Sequence, residues 1–202
     1  MPTNSKTSIN PKLILGSSSP FRKQVLASLM VEFETCSPDI DESPLCNESP
    51  IELVERLAIE KAKAVGTSFP NSLVIGSDQV ALHGTEIVGK PHTHEVAIKQ
   101  LRDASGKKIE LFTGLALLDT RTNEIQHEVI PFTVHFKELS DDVIERYLRK
   151  EKPYNCAGSV KSEGLGVSLF ERFDGDDPNA LIGLPLIRLV TMLERQGFDL
   201  YQ

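Results

Sequence analysis

The sequence predicts an α/β fold: a mixed β-sheet with helices on its faces. Three observations lead there. Apolar strand-like runs alternate with capped helical segments through the first half, two β runs follow one another directly in the middle, and the last segment is an amphipathic helix. Consecutive β runs joined by a short turn pair antiparallel, so the sheet cannot be purely parallel.

Each element has a local reason. Lys12 to Gly16 is an apolar run that reads as a strand, and Ser19 with Pro20 opens a helix, because serine caps and proline fits the first helical position. Phe21, Val25, Leu26 and Leu29 share its apolar face. Ser49-Pro50-Ile51-Glu52 is a capping box that starts a second helix running to about Val65. Leu73 to Leu82 is a strand, followed by a short hairpin through Gly84 and Gly89. Thr93 to Ala104 is a third helix, stopped by Gly106. Two β runs, about 109 to 119 and 125 to 137, turn around Arg121 to Glu124. Ser140 caps a helix to about Lys150, and Leu165 to Phe170 reads as a further strand. Pro185 to Arg195 is the last helix, with Leu186, Leu189, Val190 and Leu193 on one face and Gly197 at its end.

The totals restrict function. A chain of 202 residues, 40% hydrophobic and 25% charged, has the size of one domain with a real core. A single domain over 12–202, preceded by a flexible segment over 1–11, is expected. The net charge of -7, without a run of like charges, argues against nucleic-acid polymers and anionic membranes as partners. Cys36, Cys46 and Cys156 form no CxxC pair, and with no secretory signal or bilayer-spanning run to be read, a cytoplasmic location is expected.

Three stretches could do chemistry. In "LILGSSSPFRKQ", residues 13 to 24, backbone N–H groups and the hydroxyls of Ser17, Ser18 and Ser19 converge where a strand enters a helix, and Arg22 could add a bidentate clamp. An anion there would offset cations placed at the positive end of a helix; the alternative is an ordinary serine cap with solvated cations. On the second helix, Lys61 falls inside the apolar stripe of Val54, Leu57, Ala58, Ala62 and Val65, so it must snorkel outward or meet an anion. In "LVIGSDQVAL", residues 73 to 82, Asp78 interrupts an apolar strand and needs a cation, a metal or a dense set of donors; a structural salt bridge is the alternative.

Weaker pieces accompany them. "SPDIDES" gathers Asp39, Asp41 and Glu42 in a loop whose oxygens suit Mg²⁺ or Mn²⁺. Gly89-Lys90-Pro91 puts a lysine in a tight turn, and "AGSVKSEGLG" is a glycine-rich loop bearing Lys161 and Glu163. Arg22, Lys61, Lys90 and Lys161, recurring in an acidic chain beside metal-suited carboxylates, are the equipment of a phosphoanhydride-cleaving site.

The motifs "LILGSSSPFR", "DIDES", "LAIEKAKAV", "IGSDQVAL", "GKP", "LFTGLALL" and "NCAGSVKSEGLG" stand in the order and spacing of the Maf-like nucleotide pyrophosphatases, and the chain resembles that family from residue 12 to about 195. The resemblance implies an elongated mixed sheet with a central cleft, like that of the inosine triphosphate pyrophosphatases. It implies an enzyme that splits a nucleoside triphosphate between its α and β phosphates with a divalent metal, Mg or Mn. Ser17 and Arg22 would hold phosphate, together with Ser18, Ser19 and Lys161. Lys61 and Lys90 would neutralise it. Glu42 and Asp78 would serve the metal and the water, with Asp78 as proton acceptor. Phe21, Gln79 and Glu163 replace the Arg, Thr and Gln of the commoner branch and resemble the branch acting on 7-methyl-GTP. A phenyl face attracts the cationic 7-methylguanine ring, and a carboxylate accepts both N–H donors of the guanine edge. The partner so implied is a small nucleotide, and a homodimer is allowed. A nucleotide-binding regulator of cell division without turnover and a nucleotidyltransferase are the rival readings.

Overall fold

The computed structural model describes residues 10–202. Residues 1–9 of the expected flexible segment lie outside it, and Asn10 exchanges two hydrogen bonds with the backbone of Asp199. Among the described residues a seven-stranded mixed sheet carries helices on both faces. Strand β1 (Lys12–Gly16) enters helix α1 (Pro20–Ala27), whose first turn is capped by the Ser19 hydroxyl accepting from the Arg22 amide. A short strand β2 (Glu34–Cys36) precedes α2 (Pro50–Gly66), where the Ser49–Glu52 capping box is complete. Then come β3 (Ser72–His83), β4 (Glu86–Ile87), α3 (His94–Ala104), β5 (Lys108–Asp119), β6 (Glu124–Phe136), α4 (Asp141–Glu151), β7 (Phe170–Asp174) and α5 (Leu186–Arg195).

The strand order is β2-β1-β3-β5-β6-β7, with β4 paired to β3. β1 pairs parallel with β2 and β3, and the remaining pairs are antiparallel, as the consecutive β runs require. Side chains alternate across the sheet. Leu73 and Ile75 of β3 therefore join the large core with α1, α3, α4 and α5, while Val74 faces α2 beside Ala58 and Ala62.

Two glycines set how closely α2 approaches. A Cβ on Gly76 would sit 2.1 Å from the Ala58 carbonyl, and one on Gly114 would sit 2.1 Å from the Val54 carbonyl. Gly114 is the β5 partner of Asp78. The same close contact thus brings Lys61 of α2 down onto Asp78 of β3.

The structure corrects two local expectations. Leu165–Leu169 is a 3-10 helix, and the strand begins only at Phe170. The buried positions are Gly166 and Leu169, three apart rather than two, and the Glu151 carboxylate accepts from the Leu165 amide at the entry of this turn. On α5, Met192 is buried and Val190 is only half-buried. The strand β2 carries no apolar alternation; it forms because Glu34 to Cys36 lie in parallel register against Ile14 to Gly16.

Candidate active site

β1 covers one edge of β3 only as far as Gly76, because five residues face twelve. Past that point β1 turns away into the serine loop, and Asp78 and Gln79 border the space it leaves. A cleft of about 730 Å³ opens there, a volume typical of small-molecule sites.

One end of the cleft is charged. Lys61 is 5% exposed, and its Nζ donates to Asp78 Oδ1 at 2.7 Å and lies 2.9 Å from Glu42 Oε1. The stripe position of Lys61 is therefore resolved by an anion rather than by snorkelling. Of the carboxylates Asp39, Asp41 and Glu42 in this loop, Glu42 lines the cleft, and the Asp41 carboxylate turns back to accept from the Ser43 amide. Ser17, Ser18, Ser19, Arg22 and Lys90 also line the cleft.

Two amides of the serine loop are already engaged, against expectation. Ser17 N–H donates to the Leu15 carbonyl at 2.9 Å, and Ser19 N–H donates to the Ser17 hydroxyl at 3.1 Å. The loop bends tightly on itself, so the cation and hydroxyl groups around it carry more of any anion binding than those amides. Burial pushes the Arg22 guanidinium below the ordinary arginine range, while the Asp78 and Glu42 carboxylates pull it back. It remains a cation among carboxylates.

The cleft also has an apolar wall. Phe21, Ile109, Val134, Phe136, Phe170 and Ile182 line it, with Phe136 and Phe170 edge-to-face at 5.2 Å. Phe21 is only half-buried and borders the cleft, so it is not simply a core aromatic. Gln79 lines the cleft with its amide nitrogen donating to the Thr113 hydroxyl and the Ala180 carbonyl, and exposed Glu163 borders it from the glycine-rich loop.

Lys161 does not join this group. Its ammonium lies 3.5 Å from Glu151 Oε1, its amide donates to the Tyr147 hydroxyl, and Val160, Ser162 and Glu163 border the cleft around it. Glu151 of α4 lies on the side to which the Lys161 side chain points.

Sequence reasoning missed the apolar wall and Cys156, which also lines the cleft. The alternating apolar positions of the two central β runs were a signal for the wall, because Ile109 pairs with Val134. Burial, with Glu163 adding to it, pushes the Cys156 thiol up, so it is a poor source of thiolate.

The donor set fits a hard divalent cation. Among the described residues no group of three or more His, Cys, Asp or Glu gathers into an all-protein cage. Mg²⁺ needs only one or two carboxylates when water and substrate phosphates complete its shell. Glu42 and Asp78, both converging on one ammonium, supply that number.

A mixed sheet opened by a cleft lined with cations, carboxylates and aromatic rings defines a small-molecule site on an α/β scaffold. The chain belongs to the Maf-like protein family, whose family model matches residues 12–196. Curated relatives carry a more particular name. A 7-methyl-GTP pyrophosphatase of Nitrosococcus oceani is 55% identical over 188 residues, covering 93% of this chain and 94% of the relative. One from Pseudomonas aeruginosa is 55% identical over 190 residues, covering 94% and 99%. A third, from Pseudomonas syringae pv. tomato, is 56% identical over 187 residues, covering 93% and 97%.

Proposed function

We propose that this protein is a nucleoside triphosphate pyrophosphatase that hydrolyses 7-methyl-GTP to the monophosphate and pyrophosphate, removing a modified nucleotide from the pool. The observation that carries the reading is the Lys61 ammonium held between Asp78 and Glu42 at the floor of the cleft. A carboxylate 2.7 Å from a buried ammonium, in a cleft lined by further cations, is placed to accept a proton from water.

In this mechanism the Asp78 carboxylate takes a proton from water as its oxygen bonds to the α-phosphorus. The bond from that phosphorus to the α–β bridging oxygen breaks, and pyrophosphate leaves. Lys61 and Lys90 offset the negative charge that builds on the phosphates, Arg22 holds the phosphate chain, and the Ser17, Ser18 and Ser19 hydroxyls orient it. A Mg or Mn ion, held by Glu42 and Asp78 when bound, would supply further charge neutralisation. Phe21 and the apolar wall receive the base, and Glu163 accepts from its N–H edge.

The partner in this reading is the nucleotide, and the net charge of -7 disfavours nucleic-acid polymers and anionic membranes. Among the described residues no helix is long and apolar enough to cross a membrane. Its three free thiols suit a reducing compartment, and we place the enzyme in the cytoplasm.

The test is a panel of 7-methyl-GTP, GTP, dTTP and UTP offered to purified protein with Mg²⁺ or Mn²⁺, with separate assays for phosphate and pyrophosphate. Pyrophosphate release fastest from 7-methyl-GTP, abolished by chelator and restored by metal, is the expected result. Much faster turnover of dTTP or UTP would overturn the substrate assignment. Tight binding without turnover would overturn the enzyme.

A further inference from the structure

The pyrophosphatase reading, on which this inference rests, assigns no role to a knot of hydrogen bonds behind the charged end of the cleft. The 3-10 helix Pro178–Ile182 ends at Gly183, whose carbonyl accepts from two side chains: Ser77 Oγ at 2.8 Å and Arg22 Nε at 2.8 Å. Ser77 is fully buried, so its hydroxyl pins that carbonyl from the sheet side. The turn is itself anchored by buried Asp177, whose carboxylate accepts from the amides of Asn179 and Ile187.

A guanidinium has five N–H donors in a fixed plane. When a carbonyl takes the Nε donor, the plane is set and the two terminal nitrogens are left as a fork for a planar or tetrahedral oxyanion. Among the described residues no protein acceptor takes the terminal nitrogens of Arg22, and Arg22 lines the cleft. We infer that Gly183 is a positioning residue: its carbonyl, pinned by Ser77, aims the Arg22 fork at the phosphate chain of the substrate.

The residue type is part of the device. Gly183 has φ 91° and ψ 19°, a conformation that side-chain-bearing residues rarely adopt. A Cβ there would also stand 3.2 Å from Arg22 Nε and 3.3 Å from a terminal nitrogen. Gly183→Ala therefore both rotates the carbonyl and pushes the guanidinium. The neighbouring Ala180 carbonyl holds the Gln79 amide, so the same turn orients the residue beside Asp78.

A purely structural turn and a positioning turn differ in how losses combine. Wild type, Gly183→Ala, Arg22→Ala and the double variant are compared by calorimetric affinity for inorganic pyrophosphate with Mg²⁺, and by KM and kcat for 7-methyl-GTP. Loss of a charge-assisted contact predicts about tenfold to a hundredfold weaker pyrophosphate binding for Arg22→Ala and about tenfold for Gly183→Ala. For Gly183→Ala the loss appears in KM, with kcat changed by about threefold or less, because uniform binding is what weakens. In the Arg22→Ala background, adding Gly183→Ala costs no more than about twofold further. Losses that multiply independently overturn the inference.

If Gly183→Ala fails to fold, Ser77→Ala takes its place, with an expected loss of about threefold in wild type and none in Arg22→Ala. An equal loss in both backgrounds overturns the inference. Protein that binds pyrophosphate but leaves 7-methyl-GTP intact sinks the pyrophosphatase reading alone, and the binding cycle still decides the role of Gly183. Protein that neither binds pyrophosphate nor hydrolyses 7-methyl-GTP sinks both.

Discussion

The Lys61 ammonium and the Asp78 carboxylate meet at 2.7 Å, one from the apolar stripe of α2 and the other from the middle of β3. Their side chains are 6% and 14% exposed, so neither charge is well served by bulk water. Each is stable in its place chiefly because of the other. That dependence makes the pair a test of which charge serves folding and which serves chemistry.

Asp78→Asn keeps shape and removes charge. It is expected to lower kcat about 10²- to 10⁴-fold, the range of a lost general base. Removing one member of a buried pair costs about 3–5 kcal/mol when nothing else compensates, but Glu42 still faces Lys61, so the measured loss should fall below that range. Urea titration and steady-state kinetics on one preparation check both. Near-normal turnover would remove Asp78 from the mechanism.

Lys61→Met should cost both stability and activity. Methionine continues the apolar stripe, but it leaves the Asp78 and Glu42 carboxylates without the cation between them, and removing one member of a buried pair costs about 3–5 kcal/mol. The melting temperature should fall, and turnover should fall about 10²-fold through loss of a charge donor. A melting temperature that holds or rises would show that the ammonium is not needed for folding.

The two loop lysines should behave differently. Lys90 lines the cleft, and Lys90→Ala is expected to lower kcat/KM about tenfold or more. Lys161 pairs with Glu151 away from the lining, so Lys161→Ala should change kcat/KM by about twofold or less and stability by about 1 kcal/mol at most. Equal losses in the two variants would place Lys161 back at the phosphates.

Acid should loosen the loop that carries Glu42. The Arg56 guanidinium beside Glu48 pulls its carboxyl from the ordinary 4.5 down to about 2. The unfolded chain therefore binds this proton first, so the stabilisation is complete above about pH 4.5 and is lost as pH falls towards 2. Melting temperatures measured across that window should fall more steeply for wild type than for Glu48→Gln. Parallel slopes would remove this pair as a source of acid sensitivity.

Much of the fold was legible because its signals are short. Ser19, Ser49, Thr93 and Ser140 all cap helices in the way a few neighbouring residues specify. The stripe on α2 located Lys61, because a helix repeats every 3.6 residues whatever it packs against. What failed was also local in cause. The run from Leu165 carries apolar residues without the period of a strand, and β2 acquires its conformation only from its pairing with β1. The direction of Lys161 depends on Glu151 of another element, which no spacing within the glycine-rich loop reports.

By itself the sequence determined the capped helices, the alternating strands, and the presence of an ammonium and a carboxylate at positions where each needs a partner. Only the tertiary structure decided that they are each other's partner, that Glu42 meets the same ammonium, and that Gly183 reaches back to Arg22. The reason is the range of the forces involved. Capping and periodicity act over one or two turns of chain, whereas these contacts join residues as many as 161 positions apart and exist only after α2 has settled onto Gly76 and Gly114 and the C-terminal turn has closed behind the cleft.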